Sequence, residues 1–305
     1  MVRRLVVLVA VVALAAPAFG REMASAYVIT AVANKAGVAG TDWHSDLTLY
    51  NPHNHAFPVK LYFLPSGQDN SSGVPMVAFS LQPWETLNLW DVLGPNGFNA
   101  RGQIGAMLVE ADADNITCPN TAGDTTCDFA AFARNYTLDP TRSAGEYGQD
   151  FPGFPATLGV DSTVIAYMPQ ISDDGDFRTN VGVVSLANTF VTVRFDIQDP
   201  NGNVLGQHYD HVIAPFGHAQ WRLEQGVTGG TVAAYVVGGP ADALVFPYAT
   251  VVNWATGDAT TVEAQISKVG LTAQSASVRA AGLRARLVGR PVPGFSLEAL
   301  RRRAK

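Results

Sequence analysis

Apolar and polar residues alternate with a period of two along most of the chain, and the alternating runs come in two matched sets. In the first set Trp43 opens a short polar run that leads into Leu47-Thr48-Leu49, and past a turn comes Val59-Lys60-Leu61-Tyr62-Phe63. In the second set Phe177 opens the run, Val181-Gly182-Val183 follows, and past a turn comes Val191-Thr192-Val193-Arg194-Phe195. A period of two sends successive side chains to opposite faces, so each run predicts a strand with one buried face. The match continues through the Pro-aromatic turns Gln82-Pro83-Trp84-Glu85 and Ala214-Pro215-Phe216-Gly217, and then through glycine-led strands from Gly105 and Gly230. Roughly seven short strands per copy, punctuated by turn residues, predict a sandwich or barrel.

The fold class is therefore all-β: two tandem antiparallel β-sandwich domains, over residues 26–155 and 160–262. Pro152 and Pro155 make residues 150–155 a stiff linker. Trp43 and Phe177 are expected on equivalent strands, in equivalent core positions. The aromatic-led strands from these two residues, the strands paired after them and the turns at Pro83-Trp84 and Pro215-Phe216 resemble the duplicated immunoglobulin-like or fibronectin-type domains of exported bacterial proteins. That resemblance implies a binding or spacer module more readily than an enzyme. The immunoglobulin inter-sheet cysteine pair has no counterpart, and the pattern leaves the strand order open.

Residues 1–20 read as a signal peptide: Arg3 and Arg4, an apolar run from Leu5 to Ala15, then small residues that allow cleavage after Ala18 or Gly20. The run is short for a membrane span, so the mature chain is expected not to be transmembrane but exported, to a periplasm, the medium or a cell surface. The two cysteines, Cys118 and Cys127, lie in one polar loop of the first copy. In an exported protein a close, even pair predicts a disulfide that pins a local excursion.

Charge divides the chain. The net charge is −6, yet residues 268–305 are basic, with Glu298 as their single acid. An acidic body repels phosphates and argues against nucleic acid as a partner. The tail reads as weakly packed, with at most short helices, one of them capped by Ser296 with Glu298 in its first turn. It is either a loose end or a tether to an anionic surface.

Candidate chemistry is sparse. Phosphate-loop, nucleophile-elbow and zinc-protease signatures are missing from the sequence. Asp173, Asp174 and Asp176 form an acidic turn of the kind calcium favours, but without EF-hand spacing, and a solvated turn explains them as well. No other cofactor is indicated. His53 and His55, and the His208-Tyr209-Asp210-His211 stretch, read as loop histidines. Trp84 at a turn tip and Trp90 after a strand are the ligand-binding candidates, because exposed aromatic faces stack on sugars and anchor interfaces. Covering a strand edge or the contact between the domains would explain them equally. Two functions follow: a non-enzymatic secreted or surface module that binds an extracellular glycan or protein, or a carbohydrate-binding accessory or remnant of a secreted carbohydrate-active enzyme.

Overall fold

The computed structural model describes residues 23–37, 40–112, 127–138, 145–267, 282, 284 and 286–302. The first copy contributes β1 (Ala26–Ala36), β2 (Asp42–Tyr50), β3 (Phe57–Pro65), β4 (Val74–Leu81), β5 (Thr86–Leu89), β6 (Gln103–Ala111), β7 (Ala130–Leu138), β8 (Glu146–Pro152) and β9 (Phe154–Pro155). The second contributes β10 (Ala166–Asp173), β11 (Phe177–Ser185), β12 (Val191–Gln198), β13 (Tyr209–Ile213), β14 (His218–Arg222), β15 (Val227–Gly238), β16 (Val245–Asn253), β17 (Ala259–Glu263) and β18 (Gln265–Ile266). β19 (Gly289–Pro291) and a short helix α1 (Leu297–Leu300) follow.

One sheet of each sandwich runs β4-β3-β6-β1-β9 in the first copy and β13-β12-β15-β10-β18 in the second. The other runs β5-β2-β7-β8 and β14-β11-β16-β17. Adding nine to each strand number of the first copy yields the second, with one exception: the short β1–β2 pairing at Lys35–Trp43 and Ala36–Asp42 has no counterpart between β10 and β11. Register agrees as well: Leu47 faces Leu89 and Ala133, and Val181 faces Trp221 and Ala249. In an immunoglobulin constant domain strands 1, 2, 5 and 4 form one sheet and 3, 6 and 7 the other. The pairs 2–5 and 3–6 recur here, and 1–2 recurs only as a two-residue pairing at the end of β1 in the first copy; otherwise β1 lies beside β6, β4 beside β3 and β7 beside β2.

Each sandwich has its own apolar core. Leu47, Leu49, Leu61, Phe63, Met107 and Phe129 are buried in the first, and Val181, Val183, Val193, Phe195, Val232 and Val245 in the second. A third cluster joins them: Val28, Tyr62, Leu64 and Leu108 of the first copy pack with Val184, Phe216, Leu244 and Phe246 of the second. Polar contacts reinforce this seam. Gly67 N donates to His218 O at 2.9 Å and Asn70 N to Pro215 O at 3.0 Å. The buried Asn70 amide also donates to Phe216 O at 2.9 Å. Tyr248 of β16 reaches furthest, entering the core of the first copy edge-on to Phe151, with ring centroids 5.9 Å apart. Its ring crosses the backbone of β11 at Gly182, where a Cβ would stand 2.3 Å from the Tyr248 ring.

Three expectations change. Trp43 and Phe177 do occupy equivalent register positions, facing Thr137 and Asn253, but they are not core residues: Trp43 is half-buried and Phe177 is 37% exposed. They stand at the entry ends of β2 and β11, and full burial begins two residues on, at Ser45 and Thr179. Residues 150–155 are not a linker. Asp150 to Pro152 belong to β8, Phe154–Pro155 pair with β1, and Phe151 is 1% exposed. The tail is not weakly packed where it is described. β19 adds to β4 in parallel, Leu287 enters the seam, and Leu300 of α1 is buried in the first core. Ser296 caps α1 by accepting from Ala299 N at 3.2 Å, as expected.

Candidate functional site

The outer face of the β14-β11-β16 sheet covers the end of the first sandwich where β1 crosses from one sheet to the other. The two do not close completely. A cavity of about 240 Å³ remains between them, lined from the first copy by Lys35, Trp43, Asn135 and Gln149 and from the second by Arg178, Asn180, His218, Gln220 and Thr250. Strand parity builds it. Arg178, Asn180 and Gly182 alternate outward while Thr179, Val181 and Val183 fill the second core. Trp43 shares the inward parity of Leu47 and Leu49, so at the rim of its sandwich it faces the opening.

The floor is a locked hydrogen-bond chain. The Tyr248 hydroxyl donates to Gln220 Oε1 at 2.9 Å, so its oxygen accepts from His218 Nε2 at 2.8 Å. The proton of His218 therefore sits on Nε2, and Nδ1 is a bare acceptor with no partner among the described residues. Complete burial holds His218 neutral, taking its pKa from the ordinary 6.5 down to about 3, and pushes the Tyr248 phenol up. Asn135 is structural: it accepts from Ser45 Oγ at 2.5 Å and donates to Ala31 O at 3.2 Å. Asn180 and Gln149 are less engaged. Asn180 Nδ2 reaches Thr250 Oγ1 at 3.4 Å and Gln149 Oε1 accepts from Thr261 at 3.4 Å, and among the described residues Asn180 Oδ1 and the Gln149 NH₂ have no partner. Gln220 likewise keeps its NH₂ for another acceptor.

The candidates from sequence lie elsewhere. Trp84 is 60% exposed with φ of +56°, at the tip of a turn closed by Glu85 N to Gln82 O at 3.1 Å. Trp90 is half-buried at the other end of β5, and its N–H donates to Leu300 O at 2.9 Å. The two do not form one platform. Asp173 is buried, 3.4 Å from Arg222, and Asp174 caps its own turn by accepting from Phe177 N and Asp176 N, which lowers its pKa. Among the described residues no group of three or more His, Cys, Asp or Glu side chains could hold a metal. Cys127 is buried before β7, whereas Cys118, like the signal segment, lies outside the described residues. His53 Nε2 meets Asp128 O at 2.7 Å, and His211 stacks on Trp221 at 3.7 Å. His44, not singled out from sequence, sits between Asp91 at 3.0 Å and Asp42 at 3.5 Å, and the bond to Asp91 is the main cause of its raised pKa. Most of the described tail arginines are turned onto the protein's own carboxylates, Arg284 to Glu110, Arg286 to Asp242 and Arg301 to Glu85, while Arg290 donates to Ser72 O. No helix among the described residues is long and apolar enough to cross a membrane.

Comparison with known protein families and with curated proteins finds no match. The cavity is the feature of the described residues on which a functional reading can be built.

Proposed function

We propose that the chain is a non-catalytic binding protein, exported as its first residues suggest, whose two sandwiches are fused so that their seam receives one small hydroxylated ligand of the size of a single sugar ring. The observation that carries this is the lining of the cavity. Carboxamides and an indole converge on a volume of about 240 Å³, just below the range of roughly 300–1,000 Å³ typical of drug-sized ligands. Free NH₂ groups on Gln149 and Gln220 suit hydroxyl oxygens, and Asn180 Oδ1 accepts hydroxyl protons. Trp43 supplies an apolar ring face. The lone titratable ring, His218, is neutral and engaged with Tyr248, which suits recognition better than proton transfer.

A panel of monosaccharides, followed by amide chemical shifts and by Trp fluorescence, tests the reading. Binding should shift resonances of β11 and β14 and be lost in Asn180→Leu and Gln220→Leu. It should survive Trp84→Ala and Trp90→Ala. Binding that disappears in the Trp84 variant and persists in the Asn180 variant would move the site to the surface turn and end the seam reading.

A further inference from the structure

We propose that the ligand of this cavity carries a carboxylate, with Arg178 and Lys35 as its counter-charges: the cavity takes an acidic sugar, a uronate, in preference to a neutral one. This rests on the reading of the cavity as a sugar-sized binding site.

The argument begins with a charge that has no partner. The chain carries 26 acidic residues against 20 Lys and Arg, and the arginines on β7, β12 and β14 are answered by carboxylates. Arg134 meets Glu146 at 2.9 Å, Arg194 meets Asp210 at 2.7 Å and Arg222 meets Asp173 at 3.4 Å. Arg178 has no ion pair among the described residues, although it is half-buried at the cavity wall. Its guanidinium instead lies 5.2 Å from the ring centre of Trp254, and Arg222 lies 5.0 Å from the same ring. Desolvation, and then the nearby Arg222, lower the pKa of Arg178, the mark of a positive charge that its surroundings do not neutralise. Lys35, on the other side of the opening, is likewise unpaired among the described residues.

No Asp or Glu stands among the described lining residues. Holding an uncompensated cation in a partly desolvated wall is costly, and an incoming anion offsets that cost. Arg178 can present two parallel N–H groups to a carboxylate. The neighbouring groove makes the contrast: it is lined by Asp150 and Glu263, and would repel the same anion. The groups deeper in the cavity, Asn180, Gln220 and the enclosed His218 ring, are neutral. The ligand that matches both regions is therefore hydroxylated over most of its surface and anionic at one edge.

The test uses matched pairs on the full chain: sodium D-galacturonate against D-galactose, and sodium D-glucuronate against D-glucose, with sodium acetate as a bare carboxylate, by titration calorimetry and amide chemical shifts. The expected result is that at least one uronate binds tenfold or more tightly than its neutral partner, that the gap closes as salt is raised, and that acetate binds more weakly than the uronate. Arg178→Gln should remove the preference and Arg178→Lys should keep part of it, with unfolding curves showing that both variants fold. Lys35→Gln, at an exposed position, gives a second reading without risk to the fold. Equal affinity for uronate and neutral sugar overturns the anionic preference and leaves the cavity reading standing. Acetate matching the uronates, or no seam resonance moving with any of the sugars, overturns both.

Discussion

Buried His218 gives the protein a dependence on acid that can be worked out before it is measured. Its ring is completely enclosed, bonded through Nε2 to Tyr248 and stacked on that ring at 6.0 Å between centroids. In the unfolded chain the imidazole takes up a proton near its ordinary pKa of 6.5, whereas in the folded chain it does so only at about 3. The folded pKa is the depressed one, so stability is unaffected above about pH 6.5 and falls as pH drops from there toward 3, because the unfolded state binds the extra proton. Each pKa unit is worth about 1.4 kcal/mol, so the full loss is on the order of 5 kcal/mol, with roughly 3 kcal/mol of it already present at pH 4.5. His44, with its raised pKa, acts in the opposite direction, and carboxylates add their own slopes. The assay is therefore a difference: urea unfolding of the wild type and of His218→Phe from pH 7.5 to 4.5. Phe keeps the ring against Tyr248 and removes the titration. The variant should lose stability on the benign side and lose less of it as the pH falls, the two curves converging by about 1.4 kcal/mol per pH unit below pH 6. Parallel curves, or an NMR titration of His218 with a midpoint near 6.5, would refute the reasoning.

Asn70→Ala should cost about 2–4 kcal/mol in denaturant unfolding, since it strips a donor from the carbonyls of both Pro65 and Phe216 inside the seam; Asn70→Asp, which turns an acceptor onto both carbonyls, should cost more. Phe216→Ala should cost about 3–5 kcal/mol, whereas Trp84→Ala, at the matching turn but 60% exposed, should stay within about 0.5 kcal/mol; equal losses in thermal unfolding would contradict the seam packing. Leu300→Ala should cost about 2–3 kcal/mol and raise proteolysis of the C-terminal segment, because Leu300 is the one fully buried residue of α1 and anchors it in the first core; an unchanged melting temperature would mean that the segment lies loosely on the sandwich.

The repeat was legible because each copy keeps the same alternation around Leu47–Leu49 and Val181–Val183, and period-two burial is a local property of the sequence. Strand partners were not, because nothing near β1 marks that it pairs with β6 of its own copy rather than with a later strand. β8 and β9 read as a linker because Pro152, Gly153 and Pro155 are breaker residues, yet each stands where the ladder tolerates it, at a strand end or between strands. Leu287 and Leu300 were illegible as packing residues because each sits in a short apolar stretch hemmed in by arginines, without the alternation that marks a strand face. The cavity had no motif to find. Lys35, Gln149, Arg178 and Gln220 come from β1, β8, β11 and β14, and only the docking of one sandwich on the other gathers them. A signal did exist in the outward positions of β11: Arg178, Asn180 and Gly182 make a poor solvent face, since Gly182 weakens a strand unless another group needs the space.

Comparing the copies position by position shows what distinguishes the unit that is covered at the seam from the one that is not. Thr48 faces Phe132 in the first copy, and at the same register Gly182 faces Tyr248 in the second. Phe132 is 37% exposed and Tyr248 is fully buried. The turn aromatics divide the same way: Trp84 and Phe216 both hold left-handed backbone, with φ of +56° and +46°, and both accept the same chain geometry, their N–H groups donating to His53 O and Ala187 O. Trp84 is 60% exposed and Phe216 only 1%. At both places an aromatic points away from its own sandwich, and it is buried only in the copy that has a unit stacked against that face. Gly182 in place of Thr48 lets Tyr248 lie flat enough to enter the neighbouring core, and His218, at the register of Thr86, ties that tyrosine down. Arg178 stands at the register of His44, which the first copy clamps between Asp42 and Asp91. The second copy leaves its cation unclamped and faces it toward the cavity. The same backbone position thus carries a carboxylate-clamped histidine in one unit and, in the other, an arginine at the cavity wall that has no ion pair among the described residues. What separates the two roles is whether carboxylates are supplied from within the same sandwich.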